Sequence, residues 1–235
     1  MGTWCEDLQS QPVIAVVRAR TPEMAHGMAK AAIAGGFRRI EIAGVPDGPA
    51  VIAALQGLAE IGAGTVLSAT QAAEAIGAGA RFVFAPHWDG EVAACCGGVP
   101  YIPGALTPTE IWRAWQGGAT AVKVFPSQAV GTAYLTCIRA VYPQIPLIPT
   151  GGVTQENVGD WLAQGAIAVG VSSDLFPSPL VQAQDWGAIA TRCRNFLERL
   201  SEVSLQPVEP PVEPLVERRG TLPIQEGFPQ IFELS

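Results

Sequence analysis

The chain has 235 residues, is 49% hydrophobic and 15% charged, and has a mean hydropathy of +0.27. That excludes a disordered or fibrous protein and leaves enough apolar mass for one sizeable core. Its formal charge is −7, and only Lys30 and Lys123 among its 14 bases are lysines, so a nucleic-acid partner bound through the overall field is excluded.

Through the first 200 or so residues, short β-branched runs alternate with Ala-rich helical runs. Glu6 and Asp7 precede the first arginine, Arg18, so the basic region of a secretory leader is missing and a cytoplasmic protein is expected. The first predicted strand is Val13–Arg18. Thr21-Pro22-Glu23 then opens a helix, with Thr as N-cap and Pro in the first turn. This helix carries Lys30 on its outer, solvated face and ends at Gly35-Gly36. Predicted strands follow at Arg39–Ala43, Gly62–Val66, Phe82–Ala85 and Tyr101–Ile102, and Gly77 with Gly79 ends the helix between the second and third of these. The longest charge-free run, Val92–Thr109, is broken by Pro100, Pro103, Pro108 and three glycines, so no membrane span is expected. Thr107-Pro108-Thr109-Glu110 opens another helix, closed by Gly117-Gly118. Ala121–Val124, Leu147–Pro149 and Ala168–Val171 complete the eight predicted strands, and Gly165 ends the helix before the last.

The segments AIAGGFRRIEI, AIGAGARFVFA, AWQGGATAVKV and LAQGAIAVGV all read as helix end, glycine, apolar strand, a weak internal repeat. Eight βα units in this length, with right-handed crossovers, predict a (β/α)8 TIM barrel over residues 1–201. An open doubly wound sheet is the competing arrangement, but no GxGxxG follows the first strand. From Glu202 the composition changes: residues 202–235 hold six prolines, six glutamates and two arginines, or −4 of the −7 charge. This reads as an extended or disordered Pro- and Glu-rich tail ending in an apolar GFPQIFELS. The five cysteines lack metal-site spacing and the two histidines are too few for a His-rich site, so neither a metal nor a disulfide framework is expected.

The active site of such a barrel lies at the C-terminal strand ends. Lys123 lies between Val122 and Val124, and Glu41 between Ile40 and Ile42. Alternation turns the flanking residues toward the helices and aims Glu41 and Lys123 inward. A buried amine is a better nucleophile than a hydrated ammonium, and a nearby carboxylate can move its protons. A structural ion pair is the plainer alternative, but buried pairs are a costly route to stability. Thr150-Gly151-Gly152-Val153 after strand 7 and Gly170-Val171-Ser172-Ser173 after strand 8 occupy the usual phosphate site, where glycine lets N–H groups approach and Ser172 adds a hydroxyl. Arg18 at the end of strand 1 is a candidate anion contact. Thr65 after small residues and Pro86-His87 end strands 3 and 4, and His87 reads as a loop histidine.

Glu41 in IEI, GAGTVL at 62–67, Pro86, IPGALTPTE at 102–110, VKVFPS at 122–127 and TGGV at 150–153 resemble, in the same order, the bacterial 2-keto-3-deoxy-6-phosphogluconate (KDPG) / 2-keto-4-hydroxyglutarate (KHG) aldolases. The resemblance spans about residues 10–200. It implies a class I, metal-independent lyase on a (β/α)8 barrel, assembled as a homotrimer, with a small 2-keto acid, possibly phosphorylated, as substrate. It also implies Lys123 as Schiff-base lysine and Glu41 as general acid/base. Arg18, Thr65, Pro86 and Thr150 would contact substrate, and Gly151, Gly152 and Ser172 would hold phosphate. The sequence departs from the family where Ala43 and Val45 replace a usual Thr and Arg, where the segment between Glu41 and GAGTVL is shorter, and where Val171 replaces a glycine. Two other readings stay open from sequence: a non-catalytic barrel that binds a phosphorylated or 2-keto-acid metabolite, and a scaffold acting through the tail.

Overall fold

The computed structural model describes residues 4–202; all of the predicted tail except Glu202 lies outside the described residues. The chain opens with a short helix, α1 (Trp4–Leu8). Strands and helices then alternate: β1 (Val13–Val17), α2 (Pro22–Ala34), β2 (Arg39–Ala43), α3 (Gly48–Ala54), β3 (Glu60–Gly64), α4 (Ala69–Gly77), β4 (Val83–Phe84), α5 (Gly90–Cys96), β5 (Tyr101–Ile102) and β6 (Gly104–Ala105). The second half holds α6 (Pro108–Gln116), β7 (Val122–Val124), a 3-10 turn at Ser127–Ala129, α7 (Ala133–Val141), β8 (Leu147–Pro149), α8 (Val158–Ala163), β9 (Val169–Val171), α9 (Ser178–Gln182) and α10 (Trp186–Glu202).

All the strand pairings are parallel, in the orders β5-β4-β3-β2-β1-β9 and β6-β7-β8. The chain itself joins the two groups through Pro103. At the other edge a Thr150–Gly170 bridge and the Ile167 N–H donating to the Leu147 carbonyl (3.1 Å) bring β8 against β9. The result is an α/β fold with a curled parallel sheet. The predicted strand Tyr101–Ile102 is β5, and an unpredicted strand, β6, follows it directly after Pro103, which carries no N–H to donate to the ladder; the Pro103 carbonyl still accepts from Lys123 N–H at 2.9 Å. β3 begins two residues earlier than predicted and ends at Gly64. Thr65 therefore stands just past the strand, at φ +60°.

The alternation predicted from sequence divides the core in two. Val13, Ala15, Val17, Ile40, Ile42, Ile61, Val83, Val122, Val124 and Leu147 pack outward against the helices. Ile14, Phe82, Phe84, Ile102, Ala121, Ile148 and Ala168 form a second cluster on the inner face, together with Leu8 from α1. Each fully buried Phe or Ile here contributes about 1.5–3 kcal/mol. Two helix starts match the sequence reading. The Thr21 hydroxyl accepts from Met24 N–H, and Thr107 and Glu110 make a reciprocal capping box. Ser68 and Asp89 cap α4 and α5 in the same way. Gly77 is the last residue of α4 and Ala78 its cap, and Gly79 follows at φ +98°, at the predicted end.

α1 carries no clear sequence signal. Five residues are too few for a helix to hold by itself, so docking must supply the stability. Leu8 is fully buried, the Trp4 indole donates to Glu60 Oε1 at 2.8 Å, and the Cys5 thiol donates to the Thr120 carbonyl. Glu60 also pairs with Arg39 at 2.8 Å. α1 thus covers the end of the sheet opposite the strand C-termini. At the other end of the chain, α10 lays Ile189, Cys193, Phe196 and Leu200 against the body as one stripe.

Candidate active site

Glu41 and Lys123 reach each other across the interior from β2 and β7. Lys123 Nζ lies 3.6 Å from Glu41 Oε1, and both side chains are almost completely buried. The distance is an ion pair rather than a hydrogen bond, and Glu41 Oε1 has no hydrogen-bond partner. The lysine arm lies between two aromatic faces: Nζ is 5.3 Å from the Phe84 ring centre and 5.2 Å from that of Phe125. Cation–π attraction holds an ammonium there with few hydrogen bonds. Thr150 Oγ1, buried at the end of β8, is a second polar atom without a partner. An unpaired buried carboxylate oxygen and hydroxyl are expensive; a bound polar ligand would repay both.

Glycines on the inner face make the room. A Cβ at Gly64 would collide with the Glu41 carboxylate, one at Gly62 with the Phe82 ring, and one at Gly170 with the Thr150 side chain. These positions face inward on β3 and β9, where alternation would otherwise set a side chain.

Arg18 lies one residue past β1, exposed, and its Nη2 donates to Thr65 Oγ1 at 3.3 Å. Thr65 is a β-branched residue in the left-handed region, an uncommon conformation that clusters at functional sites. Gly44 sits against both side chains at φ +61°. Beside them Val45 lines a cavity of about 600 Å³ between α3 and α4, which meets the site at Gly44, Gly64 and Thr65. Ala43 is buried. No charged side chain therefore stands at 43 or 45.

The Gly151-Gly152 loop is anchored by Ser127, which sequence reasoning did not single out. Ser127 Oγ donates to the Gly151 carbonyl at 2.6 Å, its N–H to the Thr150 carbonyl, and Gln128 N–H to Gly151. With those carbonyls turned onto the 3-10 turn, the Gly151 and Gly152 N–H groups point the opposite way. Their φ values of +93° and +80° need glycine. The Ser172 hydroxyl donates to the Val16 carbonyl at 2.8 Å. In this arrangement its proton ties β9's end to β1 and is not offered to a ligand, unlike the donor role predicted for it.

Pro86 lines a smaller cavity of about 280 Å³ with His87, Trp88, Phe125 and Arg113, beside the Phe125 wall rather than over the lysine. His87 and Lys30 are exposed, as predicted. The structure thus forms two direct pairs from the predicted residues, Lys123 with Glu41 and Arg18 with Thr65, and a loop around Thr150. Phe84, Phe125, Gly64 and Ser127 were missed. The first two had a signal, since FVF and VKVF set aromatics two residues from an inward position. Among the described residues no group of three or more His, Cys, Asp or Glu side chains could hold a metal ion. Nor is any of their helices long and apolar enough to cross a membrane.

The family model described as KDPG and KHG aldolase matches residues 5–192. A 2-dehydro-3-deoxy-phosphogluconate aldolase from Treponema pallidum is 34% identical over 205 residues, covering 84% of this chain and 98% of that one. A 2-dehydro-3-deoxy-6-phosphogalactonate aldolase from Escherichia coli is 37% identical over 173 residues, covering 70% and 84%. The solved structure of the Legionella pneumophila KDPG aldolase, with pyruvate captured as a covalent carbinolamine intermediate, superposes with a TM-score of 0.75 at 28% identity, covering 83% and 98%.

Proposed function

The chain belongs to the KDPG and KHG aldolase family, and from that premise we propose that it is a class I aldolase. Its reaction is cleavage of a 2-keto-3-deoxy-6-phospho sugar acid, or of 4-hydroxy-2-oxoglutarate, to pyruvate and an aldehyde. The observation that carries this reading is the buried Lys123–Glu41 pair, 3.6 Å apart among aromatic and glycine neighbours.

Lys123 gives a proton to Glu41 and attacks the C2 ketone as a neutral amine. The carbinolamine loses water, its hydroxyl protonated by Glu41, and leaves an iminium ion. Glu41 then accepts the C4 hydroxyl proton as the C3–C4 bond breaks. The aldehyde leaves, and the bonding pair is held as an enamine by the nitrogen. Protonation at C3 and attack by water release pyruvate and restore Lys123. The electron sink is the imine itself, so the chemistry needs no metal or cofactor.

Thr65 and Arg18 hold the pyruvyl end, with Thr150 and Pro86 along the bound chain. Gly151 and Gly152 offer N–H groups to a phosphate, and Ser172 joins them once its hydroxyl turns from Val16. With Ala43 and Val45 uncharged, Arg18 is the cation nearest Thr65, and it takes the carboxylate. The curled sheet closes as a (β/α)8 barrel over residues 1–201, with 202–235 as a tail. The working form is a cytoplasmic homotrimer, three chains of 24.6 kDa, which light scattering would measure.

The test is trapping. Pyruvate plus borohydride is expected to add a reduced pyruvyl group to Lys123, located by peptide mass. Folded protein that turns over KDPG or KHG without such an adduct would overturn the mechanism, and no turnover of either substrate would overturn the activity.

A further inference from the structure

The interior of the sheet holds a continuous aromatic column. The Trp4 ring lies 5.6 Å from Phe82, and Phe82 lies 5.8 Å from Phe84, edge to face at 83°. Lys123 Nζ rests 5.3 Å above Phe84. Three contacts therefore connect α1, at the closed end of the sheet, with the amine at the open end. Phe82 and Phe84 are 0% and 1% exposed. A Cβ at Gly62 would strike the Phe82 ring, so β3 is built around that ring and leaves it little room to shift.

We propose that Trp4, Phe82 and Phe84 are positioning residues: the column sets the height of Lys123 Nζ against Glu41, which makes α1 part of the machinery for imine formation. A lysine arm has four rotatable carbons and, alone, no fixed end point. Aromatic rings have two side-chain torsions and fill a core that barely compresses. Stacked from Trp4 upward, they form a stop that the ammonium cannot sink past, while Phe125 blocks one side. The charged group facing Nζ is Glu41. Arg39 and Glu60 stand lower on β2 and β3, paired with each other and, through Glu60, with the Trp4 indole. Taking out Trp4 leaves a void under Phe82, the column settles, and Nζ drops away from the carbonyl it must attack.

This inference rests on the lyase reading, and the test separates the two. Trp4→Ala, Trp4→Phe, Phe82→Leu, Phe84→Leu and the double variant Trp4→Ala/Phe84→Leu are compared with the parent for kcat, KM, melting temperature and the pH profile of pyruvate trapping. Misplacing a reacting group by 1 Å can cost about 10²-fold in rate, so the smaller settling in Trp4→Ala is expected to lower kcat by roughly tenfold with KM little changed. Trp4→Phe keeps a ring but loses the indole bond to Glu60, and it should restore kcat without restoring the full melting temperature. The Trp4→Ala and Phe84→Leu effects should combine less than additively, because both break one column. The trapping profile should move in Trp4→Ala and return in Trp4→Phe. If Trp4→Ala does not fold, Phe82→Leu supplies the same comparison. Folded variants with lower melting temperatures but the parent's kcat and trapping profile would overturn the column. A parent that forms no Lys123 adduct would instead overturn the lyase reading, and the column's role with it.

Discussion

Gly64 and Glu41 share one space: any side chain at Gly64 on β3 would run into the carboxylate that β2 projects across the interior. The width of the reaction chamber is therefore set by a missing side chain. Gly64→Ala is expected to push Glu41 off its line to Lys123 and lower kcat at least tenfold. Overpacking should cost about 1–3 kcal/mol of stability. Steady-state kinetics with a urea titration measures both. A variant with full kcat would show that Glu41 needs no fixed position.

Glu41→Gln keeps the shape of the acid and removes its proton exchange. Loss of a general acid/base costs about 10²–10⁴-fold in kcat. Slow pyruvate trapping at Lys123 should persist in Glu41→Gln and vanish in Lys123→Ala. Equal trapping rates in Glu41→Gln and the parent would remove the carboxylate from the imine-forming steps.

The capping box of α6 gives a pH signature. Glu110 accepts from Leu106 N–H at 3.0 Å and Thr107 N–H at 2.8 Å. These backbone bonds, with the Thr107 hydroxyl, hold its carboxyl below the usual 4.5. A depressed carboxyl contributes stability that is present above the unfolded value and lost as pH falls through the folded one. Glu110→Ala should therefore lower the urea midpoint at neutral pH, with the difference from the parent vanishing in acid. Urea unfolding at pH 7 and pH 3 would measure it. An equal difference at both pH values would show that the bonds do not depend on the carboxylate.

The thiols divide by burial. Desolvation, with the neighbouring Glu6, raises Cys5 to about 11; desolvation chiefly raises Cys96 to about 11 and Cys193 to about 12, against an ordinary 9.0. Cys137 is exposed. An aromatic disulfide reagent at pH 8 should label Cys137 quickly, and the buried Cys96 and Cys193 only on unfolding. Raised thiols contribute stability below the unfolded value, so it should decline as pH climbs from about 9 toward the folded values. Rapid labelling of Cys193 in folded protein would refute its burial between α10 and the body.

The periodicity of the sequence was enough for most of the frame. Arg39–Ala43 and Val122–Val124 alternate polar with apolar residues, so the side each residue faces followed, and Glu41 with Lys123 followed from that. Pairing was the harder part. Nothing local says that the Arg18 guanidinium lies on Thr65, 47 residues on, or that Ser172 spends its hydroxyl on Val16. α1 escaped because its five residues have no helical period to detect. β6 escaped because Gly104–Ala105, directly after Pro103, has no β-branched residue to mark a strand. The glycines at 62 and 64 read as small residues allowing close packing or ligand approach, without saying against which neighbours. Their function lies in neighbouring strands, in the Phe82 ring and the Glu41 carboxylate that need the space.

The docking of α1 also bears on the order in which the chain can assemble. Trp4 and Cys5 leave the ribosome well before their partners Glu60 and Thr120, which lie 56 and 115 residues further on. Residues 4–8 must wait while most of the sheet is synthesised, since the loop-closing entropy is repaid only once the floor they rest on exists. Substitutions at Trp4 and Leu8 should then speed unfolding and leave the refolding rate almost untouched, with φ-values near zero.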